Sequence, residues 1–231
     1  MYNSYIITFA NQKGGVGKST LCVLFANYLV GKDCPVRIVD CDGQQSIMER
    51  RESDIKVYAD KDVQPPYDII SFDITQHDSI PRLIKGLRAA GGVTLIDTPG
   101  FLRQQGMVGL IAYSDFIICP FHYDRVTLPS TAEFVGVIEE LRSNVGEGMT
   151  TRIMFVPNRQ NPSAGTKEEK LLWQKAEETF SNYGVVTPRI SLRVDMERFS
   201  TMSNLDQQLR IVQPAFDRIY ETLFGTLEPF K

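Results

Sequence analysis

The sequence predicts a single α/β domain, residues 1–231, in which a mostly parallel sheet carries helices on both faces. Short apolar runs alternate with helical patterns from one end of the chain to the other, as is typical of parallel sheets. A length of 231 residues suits one large α/β domain. No repeat, low-complexity tract or linker divides the chain, so we expect one domain.

Local signals in the first half of the chain indicate four strands and three helices. Leu21 and Leu24 lie at helical spacing behind a glycine-rich loop, and Gly31 marks the end of that helix. Pro81 in a first turn and Gly91 after the last turn delimit another helix. In order, the predicted elements are strand 4–10, helix 18–30, strand 36–40, a weaker helix 44–52, strand 68–72, helix 80–90 and strand 93–97.

The second half continues the alternation with weaker signals. Trp173 lies among Leu171, Leu172 and Ala176, which indicates that the indole packs in the core. The predicted elements are strand 116–119, helix 131–141, strand 153–156, helix 166–180, strand 185–190 and a closing helix 212–224.

Composition excludes several classes of protein. A net charge of −3 gives no whole-chain signal for nucleic acid, although a local basic face remains open. No apolar run approaches the ~18 residues of a membrane span. The first ten residues show no signal-peptide pattern, and we expect a cytoplasmic protein. Its cysteines form no CxxC pair and are expected to be reduced; they are Cys22, Cys34, Cys41 and Cys119.

The strongest motif is KGGVGKST at 13–20, between a predicted strand and a predicted helix. A phosphate-binding loop (P-loop) needs small residues, so that backbone N–H groups can face the anion, and a helix N-terminus behind them. Lys18 is expected to reach the β- and γ-phosphates of ATP, and the Ser19 hydroxyl to bind Mg²⁺. The predicted nucleotide-binding residues of the loop are Gly14, Gly15, Val16, Gly17, Lys18, Ser19 and Thr20.

The loop departs from the common pattern at its start. Gln12 stands where that pattern has glycine, and an additional lysine, Lys13, follows it. A second lysine beside a phosphate cradle needs an anionic partner. We therefore expect Lys13 to project outward rather than onto its own nucleotide.

The segment KGGVGKST at 13–20 resembles the deviant Walker A motif of the ParA/MinD family of ATPases, which includes the nitrogenase iron protein. Residues 39–46, VDCDGQQS, are similar to the family's Asp-x-Asp-Pro-Gln-Gly stretch, with Gly43-Gln44-Gln45 in place of Pro-Gln-Gly. Residues 95–100, LIDTPG, are similar to its strand-end switch. The resemblance covers about 5–190 and implies a P-loop NTPase fold and hydrolysis of ATP.

Three aspartates are placed at predicted carboxyl ends of strands, where open α/β sheets bind ligands. Asp97 is expected to hold Mg²⁺ through a water; an aspartate in a plain turn is the alternative. Asp42 is positioned to orient the attacking water, and the resemblance implies that role. Asp40 is expected to support the site. The predicted catalytic set is Lys13, Lys18 and Asp42, and the predicted metal set is Ser19 and Asp97.

Asn158 follows a predicted strand and could read an adenine edge with one donor and one acceptor. An asparagine in an ordinary turn is the alternative. His77 and His122 have no partner at metal-ligand spacing, so structural or surface roles are expected. Residues 122–125 follow a strand end and have no assigned role.

Family resemblance also implies partners. We expect a homodimer on ATP, with Lys13 contacting the partner's nucleotide as an arginine finger does, and a ParB-like adaptor. An iron–sulphur reductase would need two cysteines per chain, yet only Cys119 follows Asp97. A MinD-like positioning ATPase on a protein or membrane track is the retained alternative. The end of the chain, FDRIYETLFGTLEPFK, is not a basic face, so no membrane is expected.

Partition of a plasmid, chromosome or mobile element is the main functional hypothesis, and it requires non-specific DNA binding. Arg189 and Arg193 lie four residues apart and are the candidate DNA contacts. Asp195 and Glu197 interrupt the basic run, so a solvated mixed-charge surface is the alternative. DNA binding would associate the protein with the nucleoid. We see no additional N-terminal length that would hold a helix-turn-helix, so sequence-specific operator binding is not expected.

Overall fold

The computed structural model describes residues 4–61, 63–100 and 105–225. Strands and helices alternate along these residues. They are β1 (Ser4–Phe9), α1 (Lys18–Val30), β2 (Val36–Asp40), α2 (Ser46–Tyr58), β3 (Asp68–Ser71), α3 (Ile80–Ala90), β4 (Gly92–Asp97), α4 (Gln105–Tyr113), β5 (Phe116–Phe121), α5 (Thr127–Val145), β6 (Arg152–Pro157), α6 (Lys167–Ser181), β7 (Gly184–Val186) and α7 (Asp206–Phe224).

The strands form one seven-stranded sheet in the order β3-β2-β4-β1-β5-β6-β7. Every recorded strand pair is parallel. This confirms the predicted fold class. The register aligns Phe9 with Asp97 and Asp40 with Asp97. The carboxyl ends of β1, β2 and β4 therefore meet at one edge of the sheet, where the candidate site lies.

Apolar side chains cover both faces of the sheet. One core joins the sheet to α1 and α7, with Phe25 and Phe216 in edge-to-face contact at 5.0 Å between ring centroids. The other joins it to α3, α4, α5 and α6, and contains Ile84, Leu110 and Phe134. No helix within the described residues is long and apolar enough to cross a membrane.

Several boundaries differ from the prediction. Helix α2 begins at Ser46 rather than at 44, because Gln45 has a left-handed φ of 49°, and it runs on to Tyr58. Helix α5 spans Thr127–Val145 rather than 131–141. Strand β7 ends at Val186 instead of reaching 190. Helix α4 was not predicted, since residues 105–113 are apolar with little helical periodicity.

Trp173 corrects the sequence interpretation. It is half-buried, while its neighbours Leu171 and Leu172 are exposed, so this turn of α6 is not in the core. The indole stacks on Tyr123 with 5.1 Å between ring centroids and an interplanar angle of 26°. The backbone of Gly165 packs on the same indole, since a Cβ there would lie 2.5 Å from the ring.

Candidate functional site

The loop between β1 and α1 has the backbone of a phosphate cradle. Gly15 and Gly17 have positive φ angles of 77° and 96°, which favour glycine. A Cβ on Gly17 would also lie 2.4 Å from Nδ2 of Asn158. Helix α1 begins at Lys18, directly after Gly17, so the N–H groups of its first turn face the loop.

Neighbouring strand ends hold this loop in place. The Asn158 amide, which is buried, donates from Nδ2 to the Val16 carbonyl at 2.8 Å, and its Oδ1 accepts from the Arg159 N–H at 2.9 Å. Asn11 donates to the Pro120 carbonyl at 2.7 Å. Both ends of the Asn158 amide are thus engaged within the protein, and its role in reading adenine stays a prediction.

The two lysines of the loop are placed differently. Lys18 is 7% exposed and donates from Nζ to the Lys13 carbonyl at 3.5 Å. Burial lowers the pKa of Lys18, and the charges of Asp97 and Asp42 oppose that shift. The side chain of Lys13 is exposed at the mouth of the cavity and makes no ion pair with the described residues. The projection of Lys13 away from its own nucleotide stays a prediction.

Asp97 is fully buried at the end of β4, and neither carboxylate oxygen has a hydrogen-bond partner among the described residues. Burial raises the pKa of Asp97 to about 7, and the charges of Asp40 and Asp42 add to the rise. Lys18 opposes it, as does the Ser19 hydroxyl, which faces Asp97 without forming a hydrogen bond of standard geometry. An orphaned carboxylate beside a hydroxyl fits a hydrated Mg²⁺ ion.

The other two aspartates, Asp40 and Asp42, lie where β2 ends and the second loop of the site, between β2 and α2, begins. Asp40 is buried, and its Oδ2 accepts from the N–H groups of Ile47 and Met48, both at 3.2 Å. Its Oδ1 accepts from the Asp42 N–H at 3.2 Å. Asp40 thus satisfies the first turn of α2 and fixes Asp42, which is the supporting role expected from the sequence. Asp42 itself is partly exposed toward the site.

These loops enclose a cavity of about 690 Å³. Its lining includes Lys13, Lys18, Asp42 and Gly100. The loop after β4 closes on the P-loop, since a Cβ on Gly100 would lie 3.1 Å from the Gly14 nitrogen. The structure therefore brings the glycine loop, both lysines and Asp42 around one cavity of ligand size, whereas Asp97 and Asp40 are buried behind its lining.

Two residues at this site were not assigned a role from the sequence. Arg159 lines the same cavity and has a left-handed φ of 53°, unusual for a side chain of this size. His122 lies nearby, and burial followed by the Arg159 charge lowers its pKa. The available signal was position, because His122 directly follows β5, which flanks β1, and Arg159 lies two residues after the end of β6.

The two predicted DNA contacts, Arg189 and Arg193, have different surroundings. Arg189 binds Glu177 through Nε at 2.8 Å and Nη2 at 3.0 Å, and its guanidinium stacks over the Tyr123 ring at 5.1 Å. Its charge is thus already paired. Arg193 is exposed and lines a small pocket beside Gly17. Binding of DNA by either residue stays a prediction.

Comparison with known proteins gives one family. A family model described as the CobQ/CobB/MinD/ParA nucleotide binding domain matches residues 7–200. Maintenance of carboxysome distribution protein A of Gloeobacter kilaueensis is 28% identical over 153 residues, which is 65% of this chain and 62% of that protein. Protein ParA of Rhizobium radiobacter is 24% identical over 150 residues, 65% of this chain and 63% of that protein. Each match therefore spans less than two thirds of the relative's length.

One similar solved structure is a plasmid partition protein from Borrelia burgdorferi bound to AMPPNP. It superposes with a TM-score of 0.67 at 19% identity, over 96% of this chain and 99% of that chain. At this identity the likeness establishes the fold alone.

Proposed function

The chain belongs to the CobQ/CobB/MinD/ParA nucleotide-binding family, and from that premise we propose that it is a partition ATPase that hydrolyses ATP with Mg²⁺. The orphaned carboxylate of Asp97 carries this proposal. A buried acid with no partner in the described residues is costly unless a cation completes it. It lies buried near Ser19 and Lys18 of the phosphate cradle.

Each residue has a definite task in this reaction. Backbone N–H groups of 14–20 bind the phosphates, and the Lys18 ammonium neutralises β- and γ-phosphate charge. Ser19 and Asp97 would hold Mg²⁺, which would offset the negative charge of the phosphates. Asp42, fixed by Asp40, orients the attacking water. Phosphoryl transfer then rests on positioning and electrostatic stabilisation.

Two substitutions separate binding from turnover. Lys18→Ala should bind ATP at least about tenfold more weakly, because it loses a charge-assisted contact to the phosphates. Asp42→Ala should bind ATP normally and hydrolyse it about 100-fold more slowly, because the water loses its orienting group. Calorimetry and steady-state phosphate release measure the two effects. Asp78→Ala and Lys85→Ala, both at exposed positions, are the controls. Hydrolysis by Asp42→Ala at the wild-type rate would contradict the assignment.

We also propose that ATP joins two copies of the chain, with Lys13 reaching the nucleotide of the partner. The side chain of Lys13, which is exposed and has no ion pair among the described residues, supports this proposal. One relative carries the name ParA and one similar solved structure is a plasmid partition protein, so the proposed cargo is DNA, recruited through a ParB-like adaptor. The alternative is a MinD-like ATPase that moves on a protein or membrane track.

A further inference from the structure

A second cavity, of about 350 Å³, lies at the far end of α1 from the P-loop. The 13 residues of α1 place it about 20 Å from Lys18. Its walls come from the last turn of α1, the segment before α7, and the first turns of α7, and include Val30, Met202 and Leu209. If each non-hydrogen atom takes about the volume of one water molecule, about 30 Å³, this cavity holds a molecule of about ten non-hydrogen atoms.

Buried and partly buried hydrogen bonds hold the walls of this cavity in place. Asn27 donates to the Ser200 carbonyl and to Oδ1 of Asn204, both at 2.8 Å, and accepts from the Tyr67 hydroxyl at 3.0 Å. Asn204 donates in turn to the Leu24 carbonyl at 2.9 Å. These bonds join α1 to the segment before α7. The cavity is therefore formed before any ligand arrives.

A lysine at this cavity has no carboxylate partner. The Lys32 ammonium lies over the rings of Tyr28 and Tyr220, at 5.5 and 5.8 Å from their centroids. It forms no ion pair within the described part of the chain. The nearby Asp217 accepts from the Tyr28 hydroxyl at 2.6 Å instead.

Two polar side chains at the same cavity are available to bind a ligand. Ser203 and Gln213 line it, are exposed, and make no side-chain hydrogen bond to another described residue. The cavity thus combines apolar walls, one cation and two hydrogen-bonding groups, which is the usual composition of a small-molecule site.

We propose that this cavity is a second binding site, separate from the nucleotide site, for a small carboxylic acid with an apolar body. The apolar part would pack between Val30, Met202 and Leu209. The carboxylate would pair with Lys32 and accept from Ser203 or Gln213. This binding does not depend on ATP hydrolysis, and its test uses no activity measurement.

The probe is 3-phenylpropanoate, compared with its neutral isostere 3-phenylpropanamide, on the full chain carrying ¹³C-methyl methionine. The Met202 methyl signal, identified by its loss in Met202→Leu, should shift on titration. Met154, buried in the sheet, should not shift. We expect the acid to bind at least about fivefold more tightly than the amide, because one charge pair is formed near the surface.

Substitutions locate the site. Lys32→Gln should bind the acid and the amide equally, whereas the matched control Lys85→Gln should keep the preference. Leu209→Trp should fill the cavity and abolish binding of both probes. The proposal is overturned if Met202 stays unshifted at millimolar acid, if acid and amide bind wild type equally, or if folded Leu209→Trp still binds. Lys32→Gln alters only a partly exposed side chain, so it provides a test even where Leu209→Trp fails to fold.

Discussion

At the scale of single residues, Asp97 combines a stability cost with the metal-binding role proposed for it. Burial raises the pKa of its carboxyl to about 7 from a reference value of 3.8. A carboxyl with a raised pKa in the folded state opposes folding when it ionises. The cost is absent below about pH 4, grows as the pH rises toward about 7, and is constant above that.

Asp97→Asn should therefore stabilise the chain in the absence of nucleotide and metal. At pH 8 we expect a gain in the free energy of unfolding of about 2 to 4 kcal/mol, since one pKa unit corresponds to about 1.4 kcal/mol. At pH 4 the gain should be close to zero. Urea unfolding at both pH values measures it.

The same substitution should remove the stabilisation that Mg²⁺ adds in the presence of ATP, because the amide no longer attracts the cation. Asp60→Asn, at an exposed position, is the control and should change neither quantity. An Asp97→Asn protein that is less stable than wild type at pH 8 without ligands would contradict this interpretation.

At the scale of elements, α2 links the second loop of the site to the body of the protein. The N–H groups of its second and third residues, Ile47 and Met48, are satisfied by Asp40. Farther along, Arg51 donates to the Tyr67 carbonyl at 2.8 Å, and Asp54 accepts from the Thr201 N–H at 2.6 Å. Both side chains are buried. The helix is therefore anchored by polar contacts rather than by an apolar stripe.

Removal of the first anchor is expected to affect both folding and chemistry. Asp40→Ala leaves two helix N–H groups without an acceptor, and should lower the free energy of unfolding by about 1 to 2 kcal/mol. It also frees the Asp42 backbone, so turnover should fall while ATP affinity stays near that of wild type. Denaturation, calorimetry and phosphate release test this, with Asp60→Ala as the control. Unchanged turnover would separate Asp42 from its proposed support.

The contrast between apolar and polar anchoring explains why the bounds of one helix could be predicted from the sequence and those of another could not. Helix α1 has the predicted bounds, because its apolar residues and Gly31 mark them clearly. Helix α2 buries only Ile47, Arg51 and Asp54, so apolar spacing could not reveal its length. The loops of the site follow motif chemistry and were predicted. The pairing of Arg189 with Glu177 could not be, since it joins two segments through tertiary packing.

At the scale of the whole molecule, DNA binding distinguishes the partition hypothesis from its alternative. A net charge of −3 opposes it, and only a local basic face can support it. The pairing of Arg189 weakens its candidacy, and Arg189→Glu would place two carboxylates side by side. Arg198 and Arg210 are two further exposed arginines in the last third of the chain, and neither they nor Arg193 forms an ion pair in the described residues.

We therefore expect the ATP-trapped Asp42→Ala protein to bind DNA without sequence preference, since a dimer doubles any basic face and phosphate contacts add through counterion release. The complex should weaken steeply with salt in a mobility-shift assay. Adding Arg193→Glu, Arg198→Glu and Arg210→Glu should abolish it, whereas Arg82→Glu on α3 should not. Because Arg193 borders the nucleotide site, ATP affinity is measured in parallel. If the trapped protein is a dimer by light scattering and ignores DNA even at low salt, the partition hypothesis fails. A positioning ATPase on a protein or membrane track then becomes the better account.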